Sequence, residues 1–262
     1  MLITTSKSGR GMPVRISRPS DRRSLSRSAT RALDVLECFG RERRWLKASE
    51  ISRMLGLQAS SSNQLLKTMV DSAHLVFNAR TKTYFPSPRL IGFSALIHEA
   101  FGIEDRLRLL VSDLYARTGL SVTLTTLNNL SMQVLHIEQA ASLRTERGLR
   151  IGIFGSASGS AYLASLPDTE IRELAAQAGF GPDALPDFLQ AAYKVRQDGF
   201  ADGSGPDPTV WTIAVFLQRA NSPVPLVLGL AGAVEEMKSR RHELRKILRE
   251  ATNRWLAQPL PG

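Results

Sequence analysis

The sequence predicts two folds in series: an all-α N-terminal unit closed by a small β-hairpin, and a C-terminal α+β unit built on a mixed or antiparallel sheet with helices on one side. Three observations predict this. Two short helical patterns separated by Gly56 run straight into a hairpin-like stretch over residues 75–85. Two pairs of β-rich runs, 121–127 with 132–137 and 210–217 with 225–231, bracket a region of helical spacing. The charge is also lopsided: residues 1–89 hold 17 Lys and Arg against 6 Asp and Glu, a net of +11, whereas residues 90–262 hold 17 against 18, a net of −1. A strongly basic third beside a neutral remainder implies a polyanionic partner for the first and another task for the second.

Residues 1–24 combine Ser, Gly, Pro and Arg without periodicity and read as a basic disordered tail, either a source of nonspecific phosphate contacts or passive. From Ser28, the positions Ala32, Leu33, Leu36 and Phe39 mark a first helix that ends at Gly40. The single Cys38 lies on its apolar side as a small buried hydrophobe, and one cysteine excludes both an intrachain disulfide and a cysteine-rich metal site. Ser49-Glu50 opens a second helix with Ile51, Met54 and Leu55, and Gly56 closes it. A third helix with Leu65, Leu66, Met69 and Val70 follows almost at once. Leu75, Val76 and Phe77 lead into Asn78-Ala79-Arg80-Thr81, a hairpin-turn composition, and Thr83, Tyr84 and Phe85 return.

Helix, tight turn, helix and β-wing is the arrangement in which the second helix enters the DNA major groove while the first braces it on the backbone. The expected reading face is therefore Ser60, Ser61, Ser62, Asn63 and Gln64. Asn63 or Gln64 has the chemistry to pair with adenine N6 and N7. Arg53, Lys67, Arg80 and Lys82 are expected on phosphate, and Lys47 and Tyr84 complete the contact set. The alternative is that Asn63 and Gln64 hold only backbone or water. An anionic membrane suits the basic third less well, because it lacks a long amphipathic helix with Trp and Phe on one face.

Residues 89–116 continue in helical spacing, read as a linker helix over 89–102 and the first helix of a domain spanning 103–262; residues 25–88 form the DNA-binding domain. Asn128-Asn129 supplies a hairpin turn, a strand over about 149–154 leads into Gly155-Ser156-Ala157-Ser158-Gly159-Ser160, and a final helix is expected over about 235–255. The longest apolar run, residues 226–234, is too short to span a bilayer, and no apolar stretch of signal-peptide length is present, so a cytoplasmic location is expected. An enzyme is not expected. His74, His98, His136 and His242 are scattered, the elbow-like Gly155–Gly159 stretch has Ala157 where a nucleophile would stand, and no phosphate-cradling glycine motif occurs. Neither a cofactor nor a metal is implied.

The first part resembles the winged helix-turn-helix of IclR-type transcriptional regulators. The resemblance rests on Glu50-Ile51-Ser52-Arg53-Met54-Leu55-Gly56-Leu57, on Gln64-Leu65-Leu66-Lys67-Thr68-Met69, and on the Tyr84-Phe85-Pro86-Ser87-Pro88-Arg89-Leu90 exit from the wing. Ala59 and Gln64 depart from it, standing where the family usually has Lys and Arg. The second part is similar to the effector-sensing domain of the same regulators at Leu149-Arg150-Ile151-Gly152, at Gly159 through Pro167, and at Val210-Trp211-Thr212-Ile213-Ala214-Val215. Here too there are departures. Ser160 replaces a usual Lys or Arg, the loop between Gly152 and Phe154 is about four residues short, and the usual acidic residue is missing from Gly203-Ser204-Gly205-Pro206.

The resemblance implies a pocket for a small organic acid or related metabolite, and linker-mediated assembly into a homodimer or dimer of dimers. Ser156, Ala157, Ser158 and Ser160 would offer hydroxyls and N–H groups at a helix start. Ile151, Ile153, Val122 and Trp211 would form an apolar wall, with Thr212 as a second polar anchor. The resulting reading is a regulator that binds a double-stranded DNA operator under effector control; the alternative is an architectural nucleic-acid-binding protein whose C-terminal domain only mediates assembly.

Overall fold

Local capping and apolar spacing decide where the first helices lie. The computed structural model describes residues 16–17, 26–93, 104–140, 147–204, 207–217 and 224–257. The chain divides into two units, Arg23–Ala100 and a second made of Met1–Arg22 with Phe101–Gly262; the first strand, β1 (Ile16–Ser17), pairs within the latter.

In the Arg23–Ala100 unit, α1 (Arg27–Glu42) begins where the Ser26 hydroxyl accepts the Ala29 N–H. It runs past Gly40 and stops at Arg43, which takes the left-handed conformation at φ 50°. Its inner stripe is Val35, Cys38 and Phe39. Leu33, expected on that stripe, is 64% exposed, because two residues from Val35 is a rotation of about 200° on an α-helix. The strand β2 (Leu46–Lys47) precedes α2 (Ala48–Met54), and α3 (Ala59–Asp71) follows a turn in which Gly56 sits at φ 61°, a conformation glycine adopts without strain. The hairpin strands β3 (Leu75–Asn78) and β4 (Thr83–Pro86) join β2 in the antiparallel order β2-β4-β3. Leu46, Ile51, Leu66, Met69 and Leu75 close the core over α1, each such burial worth about 1.5–3 kcal/mol against exposure. Pro88–Leu90 then form one 3-10 turn. Most of the expected linker helix, residues 94–102, lies outside the described residues.

The second unit is a seven-stranded sheet, antiparallel at every pairing, that continues with β5 (Ser121–Asn128), β6 (Ser131–Glu138), β7 (Arg150–Gly152), β8 (Ala201–Ser204), β9 (Val210–Leu217) and β10 (Leu226–Ala233) in the order β1-β7-β6-β5-β10-β9-β8. Its helices are α4 (Glu104–Thr118), α5 (Ala157–Leu163), α6 (Asp168–Gln177), α7 (Leu185–Asp198), α8 (Val234–Ser239) and α9 (Arg241–Ala257).

The helices cover both faces of the sheet, not one as expected. On one face α4, α8 and α9 pack on Val122, Leu124, Ile213, Leu228 and Leu230. On the other, α5, α6 and α7 pack on Met132, Ile153, Ala214 and Val227. The reason is visible in β10, whose residues from Leu226 to Gly232 are all buried, as a strand covered on both sides must be. The strand expected over 149–154 shortens to Arg150–Gly152, and the expected C-terminal helix breaks at Arg240 into α8 and α9. Two strands of this unit were not foreseen, nor was β2 in the other. β8 forms an edge beside β9, and Ile16–Ser17, inside the stretch read as a disordered tail, pair with Ile151 and Arg150.

Candidate functional site

The two helices before the wing are held by hydrogen bonds at their junctions. The Lys47 N–H donates to Glu50 Oε2 at 2.8 Å, and Arg44 bridges Glu50 and Glu42 at 2.9 Å each. The Lys47 N–H first, and the Arg44 guanidinium second, hold the Glu50 carboxyl below its ordinary range, so it is charged where the first turn of α2 favours an anion. Across the turn, the Leu57 N–H donates to the Ser52 carbonyl at 2.9 Å. The result is an open groove of about 620 Å³ between α2 and α3, with Ser49, Ser52 and Arg53 on one wall and Ala59 and Asn63 on the other.

The outward face of α3 presents Ser60, Ser61, Asn63, Gln64 and Lys67, all exposed, together with Thr68. Ser62 does not belong to it. That residue is fully buried, and its hydroxyl has no hydrogen-bond partner. Ser62 stands four residues before Leu66 and seven before Met69, so it shares their inward stripe. Lys47, Arg53, Arg80 and Lys82 are exposed as expected.

The wing is a built turn. Asn78 Oδ1 accepts the N–H groups of Arg80 at 3.0 Å and Thr81 at 3.2 Å, the side-chain mimicry that makes Asn a turn former. Lys82 takes φ 56°, with its Nζ 6.0 Å from the Phe77 ring. Tyr84 is half-buried and packs on Phe77 at 4.8 Å, so it supports the hairpin rather than standing free on its surface. Sequence reasoning missed Trp45, 42% exposed and stacked on Phe85 at 5.1 Å beside the exposed Arg43 and Arg44. The basic run from Arg41 to Arg44 was the available signal.

In the other unit the structure divides the expected pocket residues. Ile153 and Ala157 lie in the cluster under α5. Ile151 joins that face as the cross-strand partner of Met132, and Thr212 joins it by alternation with Ala214. Val122 and Trp211 are on the opposite face, packed with α4, α8 and α9, and Trp211 carries the Lys238 ammonium 5.1 Å from its ring. They cannot share a wall with Ile153, because one step along a strand reverses the side chain.

The Ser156 hydroxyl is already used. It accepts the Gly159 N–H at 3.1 Å and donates to the Gly152 carbonyl at 2.8 Å, which makes it the cap of α5. Ser158 is buried beside it and Ser160 is half-buried. Thr123, also on the α5 face, places its Oγ1 2.8 Å from where a Cβ on Gly229 would lie, with Thr212 Cγ2 at 3.5 Å from the same point. Asp202, next to the stretch where an acidic residue was missed, points to the α9 side, where it pairs with Arg241 at 2.6 Å and with Arg245. Among the described residues no group of His, Cys, Asp and Glu could hold a metal ion, and no helix is long and apolar enough to cross a membrane.

The family model of the IclR helix-turn-helix domain matches residues 28–72, and that of the bacterial transcriptional regulator IclR C-terminal domain matches residues 97–255. The HTH-type transcriptional regulator XynR of Escherichia coli (strain K12) is 25% identical over 219 residues, 79% of this chain and 86% of its own. A crystal structure of an IclR family transcriptional regulator from Brucella abortus is similar at a TM-score of 0.54 and 21% identity, over 92% of this chain and 95% of its own. The effector domain of an IclR regulator from Acinetobacter sp. ADP1 is similar at 0.52 and 19% identity, over 62% of this chain and 99% of its own. At these identities the solved structures speak for the fold alone.

Proposed function

Because the chain belongs to the IclR family of bacterial transcriptional regulators, we propose that it binds one class of operator as a dimer or dimer of dimers, under the control of a small molecule held by its C-terminal domain. The observation that carries the DNA half is the groove between α2 and α3, which sets Arg53 across from Asn63 beside an exposed, neutral run of Ser60, Ser61, Asn63 and Gln64. Short neutral side chains read base edges, and Arg53, Lys67, Arg80 and Lys82, with Lys47 nearby, hold phosphate. One such helix covers only a few base pairs, so useful affinity calls for two symmetry-related heads.

The effector reading rests on the sheet face under α5. Ile151 and Ile153 supply apolar surface there, Thr123 sets a hydroxyl over Gly229 with Thr212 beside it, and Ser158 is buried at the start of α5 above. Ser156 serves this face as a cap rather than as a ligand group.

Binding-site selection with the full chain, followed by footprinting, tests the first half; a preferred two-half-site sequence is expected, and uniform coating of any DNA would point to an architectural role. A panel of small organic acids, with their amides and alcohols, tests the second half. A binder raises the melting temperature of the chain and alters the footprint, and Thr212→Val diminishes both responses.

A further inference from the structure

We infer that Arg89 is a positioning residue for the reading helix, and not one of the cations that hold phosphate. In a basic DNA-binding unit an exposed arginine just past the wing would by default be assigned to the DNA backbone. One edge of its guanidinium is turned to the protein instead: Nη1 donates to the Ser72 carbonyl at 2.7 Å, across 17 residues of chain. Ser72 is the C-cap of α3, where the carbonyls of the last turn lack helical partners and the helix dipole favours a cation.

The N–H groups that follow are satisfied locally. The Ser72 N–H donates to Thr68, the Ala73 N–H to Val70 and the His74 N–H to Met69, with Ala73 at φ 58° turning the chain away. The Ser72 carbonyl receives its partner from outside the helix, and that partner is Arg89.

Two further ties fix the same segment to the same helix end. The Ser87 N–H donates to the His74 carbonyl at 3.0 Å, and the Phe93 ring lies nearly parallel to the His74 imidazole, at 16° and 6.4 Å between centroids. The imidazole is itself held, with Nδ1 2.9 Å from the Ser72 hydroxyl. The chain leaving the wing is thus clipped to the C-terminus of α3. Ser60, at the other end of the helix, is about 18 Å away at 1.5 Å per residue. A helix that reads bases through its N-terminal turns is aimed by whatever fixes its far end.

This inference rests on α3 being the reading helix, and the test separates the two. The full chain first selects an operator from random duplexes; no preferred sequence would count against the reading helix itself. Affinity for the selected operator is then measured as a function of salt for wild type, Arg89→Ala, Arg89→Lys and Arg80→Ala, with the active fraction fixed by stoichiometric titration.

A lost phosphate contact flattens the dependence of log affinity on log salt by about 0.9, and this is expected for Arg80→Ala. For Arg89→Ala the expected result is a loss of about three- to fivefold at an unchanged salt slope. Arg89→Lys, which keeps a cationic donor within reach of Ser72, recovers most of that loss. A slope reduced by about one for Arg89→Ala would make Arg89 a phosphate ligand, and unchanged affinity of the active protein would reduce its role to stability; either result overturns the inference.

Discussion

Replacing Ser62 with alanine should stabilise the DNA-binding unit without weakening DNA binding. The Ser62 hydroxyl is fully enclosed on the inner side of α3, in line with Leu66 and Met69, and has no partner. An unpaired buried hydroxyl forfeits its hydration, about 1–3 kcal/mol. Alanine removes that cost and gains up to about 0.5 kcal/mol of helix propensity. Against this stands the void left by one oxygen atom, about 0.3 kcal/mol at the usual cost per unit of cavity volume. The net expectation is a gain of about 1–3 kcal/mol, which for a unit of this size raises its melting transition by about 4–8 °C per kcal/mol. Hydrogen exchange of the α3 amides in the full chain, read alongside calorimetry, isolates this unit from the other. Slower exchange at Leu66 and Met69 with unchanged operator affinity is expected. Destabilisation would mean that the hydroxyl has a bound water or another partner, and a large loss of affinity would return Ser62 to the reading face.

Three further outcomes are expected. Asn63→Ala or Gln64→Ala should cost about 1–3 kcal/mol at one A·T step and relax the preference there; binding-site selection that returns the same base preference for both variants refutes the assignment. Gly159→Ala should destabilise the C-terminal unit, because the new Cβ would lie 1.9 Å from the backbone carbonyl oxygen of Ile153, which cannot give way as a flexible side chain can; a loss above about 3 kcal/mol by calorimetry is expected, and a melting transition like that of wild type would contradict the packing. Burial first, and the Arg147 charge second, push the His136 imidazole below its ordinary value of 6.5, with Glu138 opposing. A depressed folded-state value makes this contribution complete above that ordinary value and lost as pH falls through the lowered one. Stability of the wild type should therefore decline on acidification more steeply than that of His136→Gln, and superimposable pH profiles would rule this out.

What could be read from the sequence, and what could not, follows from how far each feature depends on distant contacts. Gly56 and the spacing of Ile51, Leu66 and Met69 are local, and they locate α2, α3 and the turn between them to within a few residues. The inward position of Ser62 was present in the same spacing but hidden by its polarity, since the binary pattern assigns a serine to water. β10 could have been read as covered on both faces, because Leu-Val-Leu-Gly-Leu-Ala lacks the alternation of a half-exposed strand. By contrast, Ala201-Asp202-Gly203-Ser204 has little intrinsic tendency to extend, and β8 exists because β9 offers it an edge. The separation of Val122 from Ile153 required knowing the strand register, and that register slips between β5 and β6. Leu124 faces His136 while Thr125 faces Val134, so Leu135 is the extra residue.

Three buried hydroxyls show why residue type alone could not locate a sensor site. Ser156 makes two hydrogen bonds within its own loop, so its position at a helix start reports capping and offers little to a ligand. Ser62 makes none and is fully buried in line with Leu66 and Met69, so it represents a cost that a methyl group would remove. Thr123 is less tightly buried than either, and its Oγ1 lies over Gly229, where the Thr212 methyl also approaches, on the face that also carries Ile151 and Ile153. Of the three, only Thr123 sets its hydroxyl over a glycine on an otherwise apolar face, a polar group on apolar surface of the kind a small polar ligand requires. If the sensor reading holds, Thr123→Val should reduce effector binding more than Ser158→Ala does, while leaving operator affinity in the absence of effector unchanged. Equal loss from both variants, measured by ligand-induced thermal stabilisation, would move the site back to the start of α5.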